Sequence, residues 1–266
     1  MGAEDPPSAP WSAPPTRERL NRFLARSGVA SRRAADELIA SGSVRVNGER
    51  PPASGTIVDP ERDNVTVDGR TIRPPTTHRY LMLNKPLGVI TTSRDESARA
   101  TVLDVIGEEG RHGRRLFPVG RLDADSTGLL LLTDDGDLAY RLTHPRYKVD
   151  KEYEVVVAGV LAPTDLQALR EGVELADGMT SPAEVAVLRS TRGGRDSGRA
   201  VLRVVIREGR HRQVRRMVEA LGHKVLGLRR TAFGPLRLGR LKPGGWRVLA
   251  PGEVAALRRA TGLDQS

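Results

Sequence analysis

An aspartate set between an arginine and a cluster of hydroxyls and glycines is the feature of this chain with the most chemistry in it. Gly120-Arg121-Leu122-Asp123-Ala124-Asp125-Ser126-Thr127-Gly128 leads directly into Leu129-Leu130-Leu131-Leu132-Thr133. An apolar run of that length reads as a buried strand, so Asp123 stands on the loop that enters it. On residue types alone several roles stay open. Asp123 could cap or brace the turn. It could join Asp125, Asp134, Asp135 and Asp137 as the magnesium-binding carboxylates of a nuclease, or be one of the carboxylate pair of a glycosidase, a role that the basic composition disfavours. A second dense segment holds six arginines between Arg203 and Arg216 against one acid, Glu208. Such a cluster repels itself unless some of its members face a carboxylate or a polyanion. Tyr153, within an apolar strand, reads either as a core tyrosine or as a stacking platform.

Composition narrows the partners. The 43 Lys and Arg against 33 Asp and Glu leave a formal charge of +10, which favours encounter with nucleic acid or another polyanion. There is no cysteine, so disulfides and thiolate metal sites are excluded, and the five histidines show no ligand-like spacing; no metal site is expected. No stretch approaches the roughly 18 apolar residues of a membrane span, and the first fifteen residues lack a signal-peptide core. A cytoplasmic protein without membrane contact is expected, with a monomer as the default state.

The elements that position these residues fall into two groups. Residues 1–15, rich in proline, read as a disordered tail. Leu20, Phe23 and Leu24 recur at helical spacing, Gly28 can end that helix, and Ser31 can cap a second one running to about Ser41. Val44-Arg45-Val46 followed by Asn47-Gly48, and Val65-Thr66-Val67 followed by Asp68-Gly69, carry hairpin signals. This gives a small unit over 16–73. Pro74, Pro75, Thr76 and Thr77 then read as a linker over 74–78. The larger unit, 79–260, is predicted to hold strands at 80–83, 88–91, 116–122, 129–133, 152–158, 183–189, 200–207 and 225–233. Helices are predicted at 136–143, 163–171, 210–221 and 252–260. Residues 191–198 read as a loop and 261–266 as a tail. The class is α+β.

Between Arg17 and Arg50 the small unit has eight arginines and four acids. Guanidinium groups there can grip phosphate bidentately or merely coat a solvated helix face. The run Arg19-Leu20-Asn21-Arg22-Phe23-Leu24-Ala25-Arg26-Ser27-Gly28-Val29-Ala30-Ser31-Arg32-Arg33, followed by Val44-Arg45-Val46-Asn47-Gly48, resembles the α-L RNA-binding module first described in a small-subunit ribosomal protein. The resemblance implies RNA contacts by Arg26, Ser31, Arg32, Arg33, Arg45 and Asn47; Arg19 and Arg22 join them as arginines of the same helices.

Gly-Arg-Leu-Asp followed by Ser-Thr-Gly-Leu-Leu-Leu-Leu-Thr resembles the active-site motif of the ribosomal RNA pseudouridine synthases, the small-subunit type-A and large-subunit type-B enzymes. Leu83-Asn84-Lys85-Pro86-Leu87-Gly88-Val89, Lys151-Glu152-Tyr153-Glu154-Val155 and Glu208-Gly209-Arg210-His211-Arg212-Gln213-Val214-Arg215-Arg216-Met217 resemble three further segments of that family, in its order. The resemblance implies a larger domain built on a mixed, mainly antiparallel sheet with flanking helices, behind the helix-pair and hairpin module. It implies Asp123 as catalytic carboxylate, Tyr153 stacking on the target base and Ile206 beneath it. Arg215 is expected to pair with the aspartate, while Arg121, Arg210 and Arg212 contact substrate or RNA. The implied partner is ribosomal RNA, 23S above all, or a ribosome assembly intermediate. The implied reaction exchanges the C1′–N1 bond of uridine for a C1′–C5 bond, so no cofactor is expected.

Overall fold

The computed structural model describes residues 17–52, 55–92, 98–191 and 198–263; the expected N-terminal tail, most of the 191–198 loop and the end of the C-terminal tail lie outside them. The chain divides between His78 and Arg79 into two compact units.

The first unit contains β1 (Glu18–Arg19), α1 (Leu20–Arg26), α2 (Arg32–Ser41), β2 (Val44–Val46), β3 (Ile57–Val58), β4 (Val65–Val67) and β5 (Arg70–Thr71). Ser31 caps α2 by accepting from the Ala34 amide at 3.2 Å, and Gly42 ends it in the left-handed region. The apolar faces of both helices, through Leu20, Phe23, Leu24, Ala35 and Ile39, close on Val44, Val58 and Val65. Sheets this short, two and three strands, are stable because the helix pair covers them.

The second unit contains β6 (Tyr80–Lys85), α3 (Val102–Arg111), β7 (Phe117–Pro118), β8 (Thr127–Thr133), α4 (Gly136–Thr143), β9 (Lys151–Ala158), α5 (Pro163–Glu171), β10 (Glu184–Ser190), β11 (Arg199–Ile206), α6 (Gln213–Ala220), β12 (Val225–Phe233), β13 (Leu236–Arg237), β14 (Trp246–Val248) and α7 (Pro251–Ala260). Seven strands run β10-β11-β9-β12-β8-β6-β14 in one sheet, with β13 added to β12 and β7 to β8. Every pairing is antiparallel except the short β8–β12 contact. The continuous leucine run of β8 follows from its position: Leu130 and Leu132 enter a core covered by α3, α5 and α6, whereas Leu129 and Leu131 enter one covered by α4 and α7. In β9 burial alternates strictly, so one face alone carries its core.

Two expectations are corrected, and one helix was not expected. Residues 88–91 form no strand; only Ile90 makes an isolated bridge, to Thr101. Of the strand expected at 116–122, only Phe117–Pro118 forms a strand, with the Val119 amide still donating to Leu131 O at 2.8 Å, because 120–126 peel away as the loop that carries Asp123. Helix α3 is not foreshadowed by the sequence pattern, since Gly107 and Gly110 break it; Gly107 is non-helical, and the helix starts from a Thr101–Asp104 capping box.

Candidate active site

The loop before β8 is held by its backbone. The Gly88 amide donates to Ala124 O at 2.8 Å. Thr91 Oγ1 donates to Leu122 O at 2.6 Å and accepts from Leu122 N at 3.3 Å. Lys85, fully buried, donates from Nζ to Ser126 O at 2.8 Å and to Pro86 O at 3.2 Å. Burial pushes the Lys85 ammonium down to about 8 against the pull of Asp123 and Asp125. The Leu83–Val89 segment therefore acts as a clamp under the aspartate loop.

From the other side come the arginines around α6. Gln213 opens that helix, with its Oε1 accepting from Arg210 N at 3.1 Å, so the helix begins three residues later than the sequence pattern suggests. Arg212 stands just outside it in the left-handed region, φ 49°. Its Nη1 lies 3.6 Å from Asp123 Oδ2 and 3.1 Å from Asp125 Oδ2. Arg215, expected beside Asp123, instead donates to Asp125 O at 2.8 Å and pairs with Asp125 Oδ1 at 3.3 Å. The physical reason is the helix start: Arg212 lies outside α6 and reaches the loop tip, whereas Arg215, buried on the first turn, meets the loop backbone.

Asp123, Arg121, Tyr153, Ile206 and Arg212 line one cavity of about 310 Å³, at the lower end of the roughly 300–1,000 Å³ usual for small-molecule sites. Tyr153 and Ile206 are buried in its wall and Arg121 is exposed at its surface. Arg210 also lines it, and its guanidinium donates to the carbonyls of Asp177, Gly178 and Met179 at 3.1, 2.7 and 2.6 Å, bracing the 177–179 turn. Among the described residues no group of three or more His, Asp or Glu is placed to hold a metal ion, so Asp134, Asp135 and Asp137 do not join Asp123. Asp135 caps α4, accepting from the Asp137 and Leu138 amides. The resemblance already implies that the Leu83–Val89 segment braces the site from beneath; sequence reasoning missed the contacts of Asp125 with Arg212 and Arg215, and it missed Lys151 and Arg230 as cavity residues.

In the first unit Arg19, Arg22 and Arg32 line one concavity, joined by Arg17 and Arg62. Arg33 and Arg45 are exposed. Three expected RNA ligands also have partners within the fold. Arg26 bonds the buried Glu18 carboxylate, and the Ser31 hydroxyl is the α2 cap. Asn47 donates to Asp63 Oδ1 at 2.9 Å and accepts from Asn64 N at 2.9 Å.

Known proteins share the sequence and the fold of this chain. The family model described as RNA pseudouridylate synthase matches residues 79–220, and the S4 domain model matches 18–64. A protein of Aquifex aeolicus (strain VF5), described as an uncharacterized RNA pseudouridine synthase, is 43% identical over 92% of this chain and 95% of its own. Ribosomal large subunit pseudouridine synthase B of Bacillus subtilis (strain 168) is 41% identical over 91% of this chain and 96% of its own. A crystal structure of a pseudouridylate synthase superposes with a TM-score of 0.63 at 32% identity, covering 90% of this chain and 99% of that one. With its S4 domain, its mainly antiparallel catalytic fold and these relatives, the chain belongs to the RNA pseudouridylate synthase family, whose members are isomerases acting on RNA.

Proposed function

We propose that this protein converts one uridine of ribosomal RNA, in the 23S molecule of the large subunit, to pseudouridine, with Asp123 as its catalytic carboxylate. The observation that carries the reading is the shared cavity: Asp123 meets Tyr153 and Ile206 in a space of nucleoside scale, and an arginine stands at its carboxylate. The name of the Bacillus subtilis relative supports a substrate in the large subunit.

The uridine leaves its stack to enter this cavity. Stacking of its base on Tyr153, worth about 1–3 kcal/mol, helps offset that unstacking. The Asp123 carboxylate then either attacks C1′ or removes the C2′ proton; the family resemblance favours the second route, through a glycal. Arg212 holds the carboxylate toward the cavity. Arg19, Arg22, Arg32 and Arg33 of the first unit take phosphates, and Arg121 takes one at the cavity mouth. The enzyme works as a cytoplasmic monomer on ribosomal RNA or an assembly intermediate.

The test is Asp123→Asn assayed on a 23S rRNA transcript by pseudouridine mapping. Conversion is expected to vanish while the dissociation constant for RNA stays within about 2-fold, since the lost interaction acts in the transition state. Normal turnover by this variant would overturn the assignment.

A further inference from the structure

One wall of the cavity holds two cations that the scheme above does not use. In the β9–β12 pairing Tyr153 lies opposite Arg230 and Lys151 opposite Phe233, and in the β9–β11 pairing Lys151 lies opposite Ile206. Opposite residues of an antiparallel pair project to the same face, and these five side chains all line the cavity that contains Asp123. Lys151 is 8% exposed and Arg230 2%. The Phe233 ring lies beside both, 4.9 Å from the guanidinium carbon and 5.8 Å from the ammonium nitrogen.

Neither cation has a carboxylate within ion-pair distance among the described residues. Arg230 donates from Nε to Leu129 O at 2.7 Å, and its Nη2 is buried without an acceptor. Lys151 makes one hydrogen bond, to Val149 O at 3.2 Å, and an ammonium has three donors. Burial first, then the neighbouring Arg230, push the Lys151 ammonium down to about 8, with Asp150 and Glu208 acting the other way. Two adjacent desolvated cations destabilise a fold unless negative charge is brought to them. Uridine is neutral when it enters. Its base becomes anionic only when the C1′–N1 bond breaks heterolytically and the bonding pair departs with N1, to be shared with the ring carbonyl oxygens.

We propose that Lys151 and Arg230 form an anion-stabilising wall for the detached uracil, donating hydrogen bonds to a ring carbonyl oxygen between C1′–N1 cleavage and C1′–C5 bond formation. The proposal rests on the isomerisation reading and adds its charge bookkeeping. The electron pair released to N1 is drawn back through C5 to form the new bond; C5 then loses its proton and N1 gains one, so neither redox partner nor water is consumed. Donors aimed at charge that exists only along the reaction act on rate rather than on binding. The apolar Ile206 and Phe233 beside the cations suit a flat ring. A backbone phosphate, charged from the start, is the competing ligand, and it would appear in affinity.

The test compares wild type, Lys151→Met and Lys151→Arg in single-turnover reactions with saturating enzyme. The substrates are RNAs carrying either uridine or 5-fluorouridine at the target position, and disappearance of the starting nucleoside is followed. Fluorine makes the ring a better leaving group, and it blocks the last proton loss but not the cleavage. Lys151→Met is expected to slow the uridine RNA by about 100-fold, the scale of one lost oxyanion donor. Its effect on the fluorinated RNA should be about 10-fold smaller, with RNA affinity within about 2-fold of wild type. Lys151→Arg, which keeps the charge, should recover most of the rate, and it carries the test if the methionine variant does not fold. Equal slowing of both RNAs, a loss confined to affinity, or an unchanged rate overturns the proposal. Failure of the wild type to convert uridine would instead overturn the isomerisation reading.

Discussion

Gly128 is the residue at which the fold and the site constrain each other most tightly, and Gly128→Ala puts a number on it. Its φ is +104°, and an added Cβ would lie 2.3 Å from Arg230 O, 2.7 Å from Arg230 N and 3.0 Å from Arg230 C. All three obstacles are backbone atoms of β12, where Arg230 pairs with Gly128 in the parallel β8–β12 contact, so no side chain can rotate away. Alanine at a positive φ costs about 1–2 kcal/mol, and forcing extra volume into a packed site typically costs about 1–3 kcal/mol more. The sum, roughly 2–5 kcal/mol, is a large part of the 5–15 kcal/mol that holds an ordinary domain folded. Urea denaturation followed by far-ultraviolet circular dichroism reads this loss. Gly136→Ala is the control, because Gly136 has nothing within 4 Å of an added Cβ and lacks a positive φ; it should be neutral or stabilising by up to about 1 kcal/mol. If Gly128→Ala unfolds within about 0.5 kcal/mol of wild type, the close approach of β8 to β12 and the strain argument are both wrong.

Two more outcomes follow from charges. Neutralising Arg32 and Arg33 to glutamine should weaken RNA binding and reduce the slope of log affinity against log salt by about one for each phosphate no longer held; an unchanged slope means that this end of α2 faces away from RNA. In alkaline solution, Lys85 and Lys151 titrate near 8 in the folded state, against an ordinary value of 10.5. Between about pH 8 and 10 the unfolded chain binds more protons, so stability should rise through that window by up to roughly 3 kcal/mol per lysine. Below it the cost is fully present. Lys151→Met should flatten the rise by about half and stabilise the protein at pH 7, and a flat wild-type profile in urea titrations would refute the desolvation argument.

Local signals were legible in the sequence wherever neighbours in the chain decide the structure. The leucines of β8, the apolar strand around Tyr153, the cap at Ser31 and the Asn47-Gly48 turn all act within a few residues, and each element stands where its pattern put it. Losses occurred where a distant contact decides. Whether residues 88–91 pair depends on a partner strand, and the chain there instead uses Gly88 and Thr91 to hold the aspartate loop. Which arginine meets Asp123 depends on the residue at which α6 begins; the start at Gln213 exchanged Arg212 for Arg215. The Lys151–Arg230 neighbourhood exists only through the β9–β12 register, which no local periodicity encodes.

The distribution of hydrogen bonds around Asp123 also says what kind of site this is. Gly88, Thr91, Lys85 and Arg215 all bond the backbone of residues 122–126. The carboxylate itself accepts no hydrogen bond from these anchors, and among the described residues its one ion pair is with Arg212. Had the anchors engaged the carboxylate, they would position it at the cost of saturating its lone pairs, and reaction would begin by breaking those bonds. Fixing the main chain instead places the oxygens while leaving them available, so the proposed reaction at Asp123 would require little reorganisation when substrate arrives. Lys85 fits this division of labour. Its buried ammonium adds positive charge beneath the loop, yet its donors go to Ser126 O and Pro86 O; it tunes the field at Asp123 without competing for it.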